Sequence, residues 1–356
     1  MAEIWNNYDP TAARSHPKPG RSHRPKGPTI DIHAHVAVPA AGQFMAPHVD
    51  PGATPLARWQ SDHSRAVSAK QEGDLKTRIT PAGFDERLRN LDAMGIDIQV
   101  VMPPPPQCYY AAPVEIGVKA AQMVNEGMAE FVARAPDRYV ALGTVPMQDG
   151  QEAARELERA LKEFGLKGVQ VLTNVEGREL SDPAFAPFWA KAEELGALVV
   201  IHPNGFTEGN RFERFYFNNV IGNPLETTLA LHYLIFDGVL ERHPNLKILA
   251  VHGGGYLGAY WGRIDHAWGA RSDCHADLPN PPTSYLKKIY FDTVVFTPGQ
   301  LENLVATWGA DYVLMGTDYP FDMGEYDPVG HIVSAKLDEC QFAAICGGNA
   351  KLLLGL

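Results

Sequence analysis

Eight short runs of β-branched and apolar residues recur along the chain, and most are followed by a longer stretch with helical spacing. The runs occupy 29–36 (TIDIHAHV), 97–103 (DIQVVMP), 138–146 (RYVALGTVP), 168–174 (GVQVLTN), 197–204 (ALVVIHPN), 247–254 (KILAVHGG), 289–295 (IYFDTVV) and 312–320 (YVLMGTDYP). Between them, 81–95 opens on Pro and closes on Gly, the usual helix punctuation. The stretch 149–165 has an acidic first turn, apolar residues spaced near 3.6 and a terminal Gly. Alternation of this kind predicts a parallel sheet covered by helices. The choice lies between a doubly wound open sheet and a closed (β/α)8 TIM-type barrel.

Polar residues at the ends of the runs favour the barrel. The first run ends in His33 and His35, the fifth in His202, the sixth in His252 and the eighth in Asp318. All C-terminal strand ends of a barrel meet at one mouth. Five groups suited to metal or proton chemistry would therefore converge from four distant strands. Residues i and i+2 of a strand share a face, so His33 and His35 project together. Each residue alone has an ordinary reading: a capping or solvated imidazole, a core histidine, turn chemistry in HGGG, a helix N-cap for Asp318. Their coincidence at strand ends argues against all of these at once.

With 356 residues, 45% of them hydrophobic and 21% charged, the chain is long enough for a large core, and α/β barrels of this size form one domain. Net charge is −11, which argues against a nucleic-acid or anionic-membrane surface while leaving room for a small acid held by local arginines. Four cysteines without a CxxC pair read as a reduced, cytoplasmic protein. No run of 18 apolar residues is present, and the start has no apolar signal core. Residues 1–28, rich in Pro, Lys, Arg and His, read as an extended N-terminal arm, and 29–356 as the barrel. Segment 37–80 is long for a βα loop and suits a lid insertion after strand 1; Arg78 stands at its end. PPPP at 103–106 stiffens another loop at the same rim. The stretch 255–271 reads largely as helix, as does the C-terminal tail, with GGNA starting its last segment. There is no GxGxxG or Walker pattern to signal an organic cofactor.

The motifs IDIHAH, HPNG, HPNLKILAVHGGG, GRIDHAWGAR and LMGTDYPFDMGE resemble the amidohydrolase superfamily, in the branch of aminocarboxymuconate-semialdehyde decarboxylase and related metal-dependent decarboxylases. The resemblance covers roughly residues 29–356. It implies His33, His35, His202 and Asp318 as metal ligands and His252 as the base beside them. GVQVLTN offers no lysine at the end of strand 4 where binuclear relatives carry one, and Lys167 precedes that strand. One divalent ion is therefore expected, Zn²⁺ first and Mn²⁺ second. Arg78 and Arg271 match carboxylate-holding arginines, Arg271 donated across a homodimer interface, and guanidinium forks suit carboxylates. Asn204, Tyr216, Asn219 and Phe321 fall at the substrate pocket, which is more polar than in the decarboxylase. The implied reaction is non-oxidative decarboxylation of an unsaturated or aromatic carboxylic acid in aromatic-compound catabolism, with His252 and Asp318 handling protons. The alternative is hydrolysis of an amide, lactone or C–C bond in a related acidic substrate. A third possibility is a non-catalytic metal scaffold, which would predict a closed ligand set.

Overall fold

A computed structural model describes residues 23–356. Eight barrel strands occur among them: β1 Ile30–His35, β2 Ile98–Met102, β3 Tyr139–Ala141 continuing as Gly143–Thr144, β4 Gly168–Leu172, β5 Leu198–His202, β6 Lys247–Ala250, β7 Ile289–Asp292 and β8 Val313–Leu314. Each pairs in parallel with the next. The ring closes from β8 back to β1 through Ile32 N to Met315 O at 2.8 Å and His35 N to Tyr319 O at 2.7 Å. Closure decides between the two sheet topologies in favour of the barrel. Gly168 is required by the approach of β4 to β5, since a Cβ there would lie 1.9 Å from the Leu198 carbonyl oxygen.

Two apolar layers follow from strand alternation. Inside lie Ile30, Ile32, Val100, Met102, Leu198, Val200, Leu249 and Leu314, closed at one end by Ala350, Leu353 and Leu354 of the last helix. Outside, Ala34, Val101, Val169, Val199, Ile248 and Phe291 meet the helices. Strict alternation would put Ile30 and Ile32 on the face opposite His33 and His35. The β1 register slips between Asp31 and Ala34, so that Asp31 pairs with Gln99 but His35 with Met102 of the inner layer. This bulge turns the histidines inward.

The helices Phe84–Met94 and Gly150–Phe164 lie where the sequence predicts them, each ended by a left-handed glycine, Gly95 and Gly165. Asp149 caps the second through the amides of Gln151 and Glu152. Stretch 255–271 departs from expectation: helix spans only Gly262–Ala270. The preceding residues turn instead, with Gly253, Gly254 and Gly255 all at positive φ. The tail also breaks, into Glu339–Ala343, a wide turn over Ala344–Gly348 and Asn349–Leu354.

Segment 37–80 leaves and returns at one point, where Ala37 N bonds to Ile79 O at 2.7 Å. It folds into helices Pro39–Met45, Pro55–Arg58 and Asp62–Ile79. It leans on the loop after β5: Leu56 N meets Asn204 O, Ser61 N meets Glu213 O, and Trp59 Nε1 donates to Thr207 O. Most of the expected arm, residues 1–22, lies outside the described residues. At its inner end Arg24 pairs with Asp97. No helix among the described residues is long and apolar enough to cross a membrane.

Candidate active site

The five strand-end residues meet at the barrel mouth. His33 Nε2 is 3.1 Å from His35 Nε2. Asp318 Oδ1 lies 3.4 Å from the former and 3.2 Å from the latter. Ring centroids of His202 lie 5.1 Å from His33, 5.0 Å from His35 and 5.1 Å from His252. His252 Nε2 stands 3.5 Å from Asp318 Oδ2. Donor atoms of His33, His202, His252 and Asp318 all lie within 4.8 Å of one another.

Three of the four imidazoles, those of His33, His35 and His202, are aimed by their other nitrogen. His33 Nδ1 meets Asp292 Oδ2 at 2.7 Å, His35 Nδ1 meets the Pro103 carbonyl at 3.1 Å and His202 Nδ1 the Pro203 carbonyl at 2.7 Å. Carbonyl oxygens only accept, so Nδ1 of His35 and His202 carries the proton and Nε2 keeps its lone pair. His202 Nε2 and Asp318 Oδ1 are buried with no hydrogen-bond partner. Orphaned acceptors of this kind, in a set of imidazoles and one carboxylate, fit a divalent ion.

Burial holds His35 and, more strongly, His202 below the usual imidazole range, the latter with help from the neighbouring histidines. Burial thus favours the neutral form of both, which keeps a lone pair to donate. His33 moves the other way: burial opposes its charge, but Asp318 and Asp292 outweigh it. Burial also opposes charge on Asp318, yet the surrounding histidines hold that carboxyl well below its ordinary value.

Around this centre a cavity of about 380 Å³ is lined by His252, Asp318, Asn219, Val295, Phe296 and Tyr260, among others. Phe321 packs on His35 with ring centroids 5.0 Å apart. The Tyr216 phenol is pushed above its ordinary range by burial and by the charges of Asp322 and Asp318. Asn204 is buried beside His202 and accepts Leu56 N on its carbonyl. Arg78 ends the helix Asp62–Ile79; its charge acts on Tyr326, whose hydroxyl donates to Pro320 O and Phe321 O just beyond Asp318. Arg271 is not brought in within its own chain. Its side chain is 67% exposed and pairs with Asp273.

Two carboxylates escaped the sequence reading. Asp292 ends β7 as Asp318 follows β8, and the same strand-end rule applied to IYFDTVV would have found it. Asp31 faces outward and accepts from Gln99, Thr317 and the His33 amide. Burial raises it to about 6. Beneath it the buried Arg87 donates to Gln99 and to the His35 carbonyl and lies over the Tyr319 ring. These contacts tie β1, β2 and the Asp318 turn together below the centre.

The amidohydrolase family profile matches residues 30–356. The chain belongs to the amidohydrolase family. Among family members, the 2-amino-3-carboxymuconate-6-semialdehyde decarboxylase of Dictyostelium discoideum is 35% identical over 334 residues, covering 92% of this chain and 91% of its own. The crystal structure of 5-carboxyvanillate decarboxylase from Sphingomonas paucimobilis superposes with a TM-score of 0.81 at 24% identity, over 92% of this chain and 99% of that one. A dihydroxybenzoic acid decarboxylase from Polaromonas sp., solved with bound manganese, gives 0.77 at 24% identity, over 93% and 97%. These solved structures share the amidohydrolase barrel described above, and the family assignment places the cluster of histidines and Asp318 in a metal-dependent enzyme.

Proposed function

We propose that this amidohydrolase is a metal-dependent, non-oxidative decarboxylase of an unsaturated or aromatic carboxylic acid. The observation that carries the reading is the inward-facing set of His33, His35, His202 and Asp318 beside a fifth group, His252, in a chain 35% identical along nearly its whole length to a decarboxylase. The set would hold one divalent ion. Its nitrogen-rich donors favour zinc, and manganese stands second because it is the ion bound in a solved relative. Such an ion supplies Lewis acidity beside the substrate and acidifies water.

The protein's own residues divide the remaining work. Arg78 and a partner subunit's arginine at position 271 clamp carboxylates and fix the pose. Phe321 and Tyr216 bound the flat conjugated body, while Asn204 and Asn219 supply polar contacts. His252, within reach of Asp318, delivers a proton to the carbon that bears the leaving carboxylate. The C–C bond then breaks, its electron pair stays with the conjugated system, and CO₂ departs. No oxidant or organic cofactor enters the balance. We take 29–356 as one catalytic unit, with the helical excursion 37–80 as its cover.

The homodimer belongs to the same proposal. Tyr256 and Tyr260, 41% and 69% exposed, line both the catalytic cavity and a neighbouring groove of about 510 Å³ that reaches Asp273 and Cys274, next to Arg271. An exposed aromatic surface continuous with a site mouth is the kind of face a second copy covers. A panel of hydroxylated benzoates and unsaturated dicarboxylates, read for CO₂ and for carbonyl hydrolysis products, tests the reaction class. Hydrolysis products without CO₂ would favour the hydrolase reading.

A further inference from the structure

Asp292 is buried, sits at the end of β7, and has both oxygens committed. Oδ1 accepts two backbone amides, Gly253 N at 2.9 Å and Val294 N at 3.1 Å. Backbone amides can only donate, so they pin that oxygen and thereby aim Oδ2 at His33 Nδ1, 2.7 Å away. Neither amide has freedom to move. Gly253 sits at φ 62° under Val295, where an added Cβ would approach a Val295 methyl to 2.4 Å. Val294 follows Asp292 by two residues and closes a tight local turn.

We infer that Asp292, which ligates nothing, is the positioning residue of the metal centre: it fixes the His33 ring as the Nδ1–H tautomer and so keeps Nε2 available as a ligand. A carboxylate has only acceptors on this edge, and no other tautomer satisfies the contact. His35 and His202 are oriented by carbonyl oxygens, which also only accept, but those carbonyls belong to the backbone and survive any substitution. At His33 alone the orienting acceptor is a side chain. This role rests on the metal centre proposed above and not on which bond the enzyme breaks.

Asp292→Asn is the informative change. The amide keeps its oxygen toward the two backbone donors, so its NH₂ faces His33 Nδ1. That nitrogen must then accept, the proton moves to Nε2, and the ligand lone pair is lost. The experiment is titration of chelator-stripped protein with Zn²⁺ against a chromophoric competitor. Affinity is expected to fall about 10–100-fold in the variant. Thermal unfolding of the metal-free variant should match that of the metal-free parent. A folded variant with the parent's Kd overturns the role. A second measurement needs no variant of Asp292: ¹⁵N-histidine spectra of metal-free wild type in mildly alkaline buffer, with His33 assigned by its loss in His33→Gln. An Nδ1–H tautomer supports the inference, and an Nε2–H tautomer overturns it. Wild type that binds no Zn²⁺ would remove the centre itself, a failure distinguishable from either of these.

Discussion

His252 and Asp318 face each other from left-handed backbone positions, with φ of 55° and 59°. Residues with a Cβ adopt this conformation at a cost of about 1–3 kcal/mol, sustained only where the surroundings enforce it. The conformation matters for choosing a test. Asparagine tolerates it, so His252→Asn removes the imidazole with little backbone disturbance. We expect the variant to keep its metal and to lose about 10²–10⁴-fold in turnover, the usual contribution of a general acid or base. Metal analysis beside kinetics decides, because the donor atoms of His252 also lie within ligand range. Loss of the ion, with the rate restored on adding it back, would make His252 a ligand. A second residue carries a pH signature away from the centre. Burial, with the charges of Glu226 and Asp237, raises the Glu179 carboxyl from 4.5 to about 7. The folded state then binds a proton between those values that the unfolded chain has released, so this group's contribution to stability is lost as pH rises through about 7. Glu179→Gln should therefore unfold at a higher temperature than wild type above that pH, the gap narrowing toward pH 4.5. A gap that widens on acidification would contradict the assignment.

At the scale of elements, much of the architecture was readable because each strand start is a local event: a polar or glycine break followed by β-branched residues. Strand ends were read too long. The run 312–320 yields a strand only over Val313–Leu314, since the residues beyond it turn to present Asp318. The same cause shortened 247–254 and 289–295, where HGG and TVV leave the sheet to form the rim. The β1 bulge was not readable, because it arises from pairing with β2 and from closure onto β8. Helix within 255–271 starts late because Gly255 adopts positive φ and the chain turns before Gly262, which residue spacing does not report. The proposed ligand residues were legible from strand ends; the groups that aim the histidines were not, because two of the three are backbone carbonyls. Segment 37–80 could be recognised only by its length. Its fold now gives it a test. Asn218, 1% exposed, donates to Pro55 O and accepts Phe206 N, each at 2.8 Å, joining the excursion to the loop after β5. Asn218→Ala leaves these groups unpaired at a cost of roughly 1–3 kcal/mol. Faster proteolysis within 50–62 and a higher KM at unchanged metal content are expected. Parent-like proteolysis would mean that the excursion is held elsewhere.

For the whole molecule the question is whether one chain holds a complete site. Arg271 lies on the surface paired with Asp273, so within a monomer it clamps nothing in the mouth. If it serves a partner, Arg271→Ala and His252→Ala should each be nearly inactive alone. Refolded together they should recover about a quarter of wild-type activity, because half the dimers are mixed and each has one whole site. No recovery in verified mixed dimers would confine Arg271 to its own chain. The proposed reaction is the breaking of a carbon–carboxylate bond by a metal centre on this barrel, without oxidation. It is tested most directly by following a carboxyl-¹³C substrate, chosen from the panel, under exclusion of oxygen. One labelled CO₂ is expected for each substrate consumed, with turnover abolished by chelation and restored by adding the ion. Consumption that leaves the label in a carboxylate product, or turnover that survives complete removal of the metal, would contradict it.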